Sequence, residues 1–494
     1  MAGLTRRVVL LGTGAVLGGL GFRAVSPELP GLAGVAPLAA PPAEGHLNDA
    51  SGLSDTPIFK HITLSDESDE ALVAALRAEL KAAAAEGRAV NIGAARHSMG
   101  GQAIPRDGHA ITCASDYLDP DTAAGTYRVR AGVRWASVIA QLDAQGFSPK
   151  VMQSNNDFGV ASTYSVNAHG WAVPHGPMGA TVRSVDMVMP DGTLLTASRS
   201  ENPDLFGAAM GGYGLIGLIT SLVVEMVPNQ RLTPTFTELP ATDFAAAFMA
   251  AVADPAVSMA YGRLNVDRGR FFQDGLLVAY RAAADQSDLP TASGSGFISK
   301  VSRQIFRAQL GNERVKRWRW GVETDVGPAI AGDATRNSLF NEPVITLDDR
   351  DPRRTDILHE YFVSPDALAD FTKACTDAIP ASYQELLNVT LRYVAADPTS
   401  MLSYAPVPRI AAVLLFSQEM TARAEADMAR LTRDLIDRVL ALGGSYYLPY
   451  RPHASQAQFT QAYPQAQAFV GLKRQLDPQL LLRNGLWDTY LGVI

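Results

Sequence analysis

The nine residues Gly93-Ala94-Ala95-Arg96-His97-Ser98-Met99-Gly100-Gly101 set one guanidinium and one imidazole among small side chains. They follow the short apolar run Val90-Asn91-Ile92, which reads as a strand. A strand that feeds such a loop leaves backbone N–H groups open, where they can hold an anion. A second stretch, Gly212-Tyr213-Gly214-Leu215-Ile216-Gly217, has the GxGxxG spacing of a dinucleotide-binding turn. That fingerprint needs a strand before it and a helix after it. Here a helical segment, Asn202 to Met210, precedes it and a β-rich run, Ile219 to Val227, follows. The glycines fit close approach of backbone to a bound group equally well. Further on, Asn388-Val389-Thr390-Leu391-Arg392 alternates as a strand would, so Asn388, Thr390 and Arg392 share one face.

The elements that must hold these residues fall into two textures. Ser68 to Glu86 carries alanines and leucines at helical spacing and ends at Gly87. Thr126 to Ala131 and Val182 to Met189 read as strands, and Trp135 to Gln145 reads as a helix closed by Gly146. From about Gln230 longer helices alternate with strands at Glu360 to Val363, Asn388 to Val394 and Ala411 to Phe416. The amphipathic run Ala422 to Leu442 predicts a helix lying over that second sheet. The tail from Tyr446 contains Leu476-Asp477-Pro478 and Arg483-Asn484-Gly485-Leu486, a patterning that predicts packing against the first unit. The expected organisation is an α+β chain with an export segment and linker at 1–54, a first domain at 55–229, a cap domain at 230–445 and a returning segment at 446–494.

A chain of 494 residues exceeds what one hydrophobic core serves, so two or more packed units are expected. A hydrophobic fraction of 47% and a charged fraction of 19% suit neither a disordered chain nor a membrane bundle. The net charge of −8 argues against a nucleic-acid partner. Cys113 and Cys375 lie too far apart in sequence for a CxxC site and are expected as two buried thiols, with a single long-range disulfide as the alternative. Thr5-Arg6-Arg7-Val8-Val9-Leu10 and the apolar run to Phe22 form the pattern of a twin-arginine export signal. An uncleaved anchor is the alternative. The expected location is periplasmic or extracellular, with no stable membrane insertion after export.

Ala95-Arg96-His97-Ser98 after a strand resembles the pyrophosphate-loop motif of the vanillyl-alcohol-oxidase family of FAD enzymes. Arg130-Ala131-Gly132-Val133-Arg134-Trp135, Ser165-Val166-Asn167-Ala168-His169-Gly170, Gly176 to Val185 and Gly217-Leu218-Ile219-Thr220 follow in that family's order, over about residues 57 to 229. Within the family the chain most resembles the alditol and sugar-lactone oxidase branch, with a fainter similarity to cytokinin dehydrogenases.

The resemblance implies a two-domain PCMH-type FAD fold. It implies a loop of Ala94, Ala95, Arg96, His97, Ser98, Met99 and Gln102 around the cofactor. Ser154, Ala161, Ser162, Ser165, Asn167, Ala168, His169 and Gly170 would complete the site, with Gly217, Ile219 and Asn484. His97 would carry the flavin covalently, or else only hydrogen-bond within the loop. With no cysteine near the second motif, a single link is expected.

On the substrate side, Arg392 matches the family arginine beside the flavin, although a solvent-facing arginine on an edge strand would look the same. Ser154 and Ser417 match hydroxyl-bearing positions, and His453 keeps a C-terminal histidine suited to a general base. Thr390 and Gln456 stand where alditol oxidases have a glutamate and a lysine. Glu360 is also family-like, but reads more simply as a paired carboxylate. The function implied is hydride transfer from a CH–OH group of a small substrate to FAD, then to oxygen or another acceptor. The alternatives are a cytokinin-dehydrogenase-like enzyme and an exported flavin-binding protein without turnover.

Overall fold

The computed structural model describes residues 43–65, 68–293, 306–342 and 351–494. The twin-arginine stretch lies outside them. The chain builds three principal sheets.

The first sheet is parallel, with β1 (Lys60–Ser65), β3 (His109–Ala114) and β2 (Val90–Gly93) in that spatial order. Helix α1 (Asp69–Glu86) supplies the crossover between β1 and β2. The Ser68 hydroxyl accepts from Ala71 N–H at 3.2 Å, and Asp69 and Glu70 complement the positive end of the helix dipole. Gly87 ends the helix at φ 65°, a left-handed position that glycine takes at little cost. Leu72, Val73, Leu76, Leu80 and Ala83 form the buried stripe, packed with Val90, Ile111 and Leu218. Leu481 and Leu482 of the chain's last segment join this cluster, and Leu482 bridges Val90. The C-terminal stretch therefore packs on the first unit.

The second sheet is antiparallel, in the order β8 (Leu194–Ser198), β7 (Val182–Val188), β9 (Leu218–Pro228), β5 (Thr126–Arg130) and β4 (Leu118–Asp121). A short strand, β6 (Phe147–Pro149), pairs with the end of β9. Helix α2 (Trp135–Asp143) buries Trp135, Val138, Ile139 and Leu142 in the large core.

Past residue 230 the chain forms one antiparallel sheet of eight strands. Their order is β13 (Ala334–Thr335), β10 (Arg231–Pro240), β12 (Asp274–Ala282), β11 (Val257–Leu264), β15 (Glu385–Val394), β16 (Arg409–Glu419), β14 (Arg354–Val363) and β17 (Ser445–Tyr446). Helix α3 (Ala422–Ala441) buries Ala424, Met428, Leu431, Leu435, Ile436 and Val439, the i, i+3, i+4 repeat of a helix with one apolar face. It lies against β14 and β16. One outward face of this sheet is thereby sealed by helices, and the face carrying Thr390 and Arg392 is left for the cavity. Both cysteines are buried and free, and burial pushes both thiols well above their ordinary pKa. No helix among the described residues is long and apolar enough to cross a membrane.

Candidate functional site

β2 delivers the chain into the loop 94–101, and the loop is pinned at both ends. Arg96 sits at φ 53°, and its guanidinium turns back to donate to Thr112 Oγ1 at 3.0 Å and Ala103 O at 3.3 Å. Arg96 thus anchors the loop to β3. At the far end Met99 N–H donates to Pro449 O at 2.7 Å, and the Gln102 amide donates to Leu448 O at 2.7 Å and Tyr450 O at 3.0 Å. The His97 ring is half-buried, 4.2 Å from the Phe158 ring, with Nε2 3.8 Å from Asp157 Oδ2. Burial lowers the His97 pKa, Arg134 pushes the same way, and Asp157 opposes both. A neutral imidazole, the nucleophilic form, prevails at neutral pH.

The loop is one wall of a cavity of about 1340 Å³. The opposite wall is the exposed face of the eight-stranded sheet, where Asn388, Thr390 and Arg392 of β15 meet Ser417 of β16 and Arg263 of β11. Arg392 Nη2 donates to Ser154 Oγ at 2.6 Å, which links the cap sheet to the first unit across the cavity. Burial holds the Arg392 guanidinium below its ordinary pKa. Arg354 donates through Nε to Ser417 Oγ at 2.9 Å. At the floor His169 Nε2 pairs with Glu360 Oε1, and both side chains are almost wholly buried. Tyr450 OH donates to Glu360 Oε2 at 3.2 Å.

A family model described as an FAD binding domain matches residues 71–198. Over those residues the chain carries an FAD-binding domain. The relatives of that domain include an alditol oxidase from a Streptomyces species, 36% identical over 126 residues, or 25% of this chain and 29% of the relative. A putative D-arabinono-1,4-lactone oxidase from Neurospora crassa is 29% identical over 147 residues, 27% of this chain and 26% of the relative. Cytokinin dehydrogenase 7 of Oryza sativa subsp. japonica is 30% identical over 142 residues, 27% of each chain. The chain therefore matches less than a third of the length of each of these relatives.

The residues of the FAD-binding domain suit the cofactor on physical grounds. A pocket for one small ligand measures roughly 300–1,000 Å³, and this cavity is larger than that. Among the described residues, four buried polar atoms on its lining have no hydrogen-bond partner: His169 Nδ1, Gln153 Oε1, Trp171 Nε1 and Arg392 Nε. Buried polar atoms left so are costly unless a ligand engages them. Ala94, Ala95, Ala161 and Ala168 present only small side chains to the cavity, which leaves room for a bound group beside the backbone.

Ala94, Ala95, Arg96, His97, Ser98, Met99, Gln102, Ser154, Ala161, Ser162, Ser165, Ala168, His169, Gly217 and Ile219 all line this cavity, as do Thr390, Arg392 and Ser417. Four of the residues expected at the site do not, and neither does Gln456. His453 is buried beneath α3, with Nδ1 3.1 Å from Thr432 Oγ1 and Nε2 2.8 Å from Glu425 Oε1, so neither nitrogen is open to a donor in the cavity. Asn167, at φ 47°, spends its amide on Asp397, Ser400 and Gly179 N–H. Gly170 is a packing glycine, because a Cβ there would stand 2.1 Å from Met152 O. Asn484 donates to Tyr213 O at 2.9 Å and accepts from Leu486 and Trp487 N–H, which fixes the tail beneath the glycine stretch. Arg483 is the flanking residue there, not a cavity residue. Gln456 donates to Tyr490 O and also lies away from the lining.

Sequence reasoning passed over two features. Glu360 is a paired carboxylate as read, but its partner is His169, 191 positions away, and the pair faces the cavity. Arg263 was not singled out, although Met259, Tyr261 and Arg263 alternate on one strand, which is the signal that could have found it.

Proposed function

We propose that the protein is an FAD-dependent oxidoreductase that oxidises a CH–OH group of a small donor held between the FAD-binding domain and the cap sheet. The observation that carries this reading is the convergence, in one cavity, of the family's FAD loop with Arg392 and the buried His169–Glu360 pair. Bound FAD would supply a two-electron acceptor for hydride and pass the electrons to oxygen or another acceptor.

The chain's own residues then divide the remaining work. Backbone N–H groups of the loop 94–98 would hold the cofactor's anionic part. His97, neutral at physiological pH, is the tether. Arg392 stands where negative charge develops on hydride departure, and its planar fork is fixed by Ser154. The Glu360 carboxylate, held by His169 and Tyr450 on the cavity lining, takes the donor's hydroxyl proton, a role that His453 cannot fill because it does not line the cavity. Thr390 and Ser417 orient the donor's hydroxyl groups.

The cofactor half of the reading is tested by acid precipitation. A histidyl bond survives unfolding whereas packing does not, so the precipitate should stay yellow and a tryptic peptide containing His97 should carry flavin. His97→Ala should release its flavin on denaturation. Wild-type protein that releases all its flavin into acid would remove the tether, and protein that purifies without flavin would remove the reading.

A further inference from the structure

The arginines of the cavity are unequal. Arg307 is spent on Asp356, to which it donates through both terminal nitrogens. Arg354 is spent on Ser417 and on Glu419, 3.4 Å away. Arg263 and Arg392 have no carboxylate partner among the described residues. Arg263 donates through Nη1 to Thr390 Oγ1 and lies over the Tyr261 ring, 5.3 Å from its centroid. Arg392 donates to Ser154 Oγ and leaves Nε buried and unpaired.

These two cations are neighbours by register. Arg263 on β11 lies directly opposite Thr390 on β15, and Arg392 follows Thr390 by two positions on the same face. Such diagonal positions on one face of antiparallel strands lie about 7–8 Å apart at the backbone, within reach of long side chains. Their guanidinium heads therefore border one space. Burial lowers the Arg392 pKa and the Arg263 charge adds to that effect, while Glu360 opposes it. Glu360 offsets part of the Arg392 charge, but its oxygens face His169 and Tyr450, and one carboxylate does not balance two guanidiniums. Two like charges held together in a half-buried site with a single carboxylate nearby are unfavourable, and a bound anion relieves both at once. The planar forks match the two oxygens of a carboxylate.

We propose that the donor is a hydroxy acid whose carboxylate sits on Arg263 and Arg392, which places its hydroxyl-bearing carbon beside Glu360. This rests on the reading of the protein as a CH–OH oxidoreductase and deepens it. The step balances: the C–H bond of the carbinol carbon breaks with its electron pair passing to FAD, and the O–H proton passes to the Glu360–His169 pair. The carbon becomes a carbonyl, and the carboxylate is unchanged. Arg263 is a specificity residue for the acid and takes no part in the proton transfer.

The test compares flavin-loaded protein with matched acid and polyol probes, gluconate against glucitol and glycerate against glycerol. Equilibrium binding to the oxidised protein is read from flavin absorbance changes and thermal shift, separately from turnover. A charge-assisted pair contributes about 1.5–3 kcal/mol, so each acid should bind about tenfold or more tighter than its polyol. Arg263→Gln should bring that ratio close to one with flavin content unchanged. Arg263→Lys, which keeps the charge and loses the fork, should fall between, and it stands in if the glutamine variant fails to fold. Equal binding of acid and polyol by the wild type, preference for a phosphate ester over the acid, or an undiminished preference in both variants would overturn the proposal. Those results would leave the oxidoreductase reading intact, whereas protein without flavin would defeat that reading.

Discussion

Arg392 is the residue on which the chemical argument bears most heavily, because it joins the two walls of the cavity. Its Nη2 reaches Ser154 of the first unit while its backbone belongs to β15 of the cap sheet. A lysine would keep the charge but could not hold that contact and present further donors in a plane. Arg392→Lys should therefore retain flavin while the rate of flavin reduction by a donor falls roughly a hundredfold, the loss typical of one preorganised donor of about 3 kcal/mol. Thr390→Ala should act mainly on donor affinity, because a neutral hydroxyl orients without stabilising much charge. Stopped-flow reduction at saturating donor separates the two, and ordinary rates in Arg392→Lys would make the arginine structural. The types and spacing of Thr390 and Arg392 made their shared face legible in sequence. The pairing of His169 with Glu360 was not legible, because it joins a loop of the first unit to β14 across 191 positions.

At the scale of elements, α3 and the sheet beneath it enclose a polar chain that has no part in the cavity. His359 on β14 is buried, with Nδ1 3.0 Å from Tyr361 OH and Nε2 3.2 Å from Thr432 Oγ1. Beyond Thr432 stand His453 and Glu425. Burial pushes the His359 pKa down to about 3, with the His453 charge acting the same way and Glu425 opposing. In the unfolded chain a histidine titrates near 6.5. Below that pH the unfolded state takes up a proton that the folded state refuses, so stability is full above about pH 6.5 and falls as the pH drops toward 3. The slope from this one group approaches 1.4 kcal/mol per pH unit. His359→Gln, which keeps hydrogen-bonding capacity without the titration, should lose about 1.6 kcal/mol less than the wild type between pH 6.5 and 5. Urea midpoints at the two pH values measure it, and parallel losses in both proteins would contradict it. The periodicity of α3 announced which face it buries, from Met428 to Val439. Nothing in that periodicity could say that His453 would be drawn under the same helix, because a lone histidine in a proline-rich segment carries no orientation.

For the whole molecule, the strands and helices around the FAD loop follow their sequence signals closely. Ser68 and Gly87 bound α1, and α3 spans nearly the amphipathic run from Ala422. The fold beyond about residue 230 was legible as strands and helices but not as one sheet, since its order β13-β10-β12-β11-β15-β16-β14-β17 depends on pairings across long sequence distances. That order sets Arg263 beside Thr390 and so shapes the substrate wall. The last segment joins the units, with Leu482 bridged to Val90 and Gly485 N–H donating to Gly101 O at 2.9 Å. The FAD loop is therefore closed by residues nearly 400 positions away, and the site exists only in the intact chain. The activity proposed for this assembled cavity is the oxidation of CH–OH donors by bound flavin. Anaerobic mixing of the purified, flavin-bearing protein with hydroxy acids, polyols, lactones and amines tests it most directly. Loss of the visible flavin absorbance with at least one CH–OH donor, absent with its deoxy analogue and slowed in Arg392→Lys, is the predicted result. Flavin that dithionite bleaches but no CH–OH donor reduces, or that only amines reduce, would contradict the account.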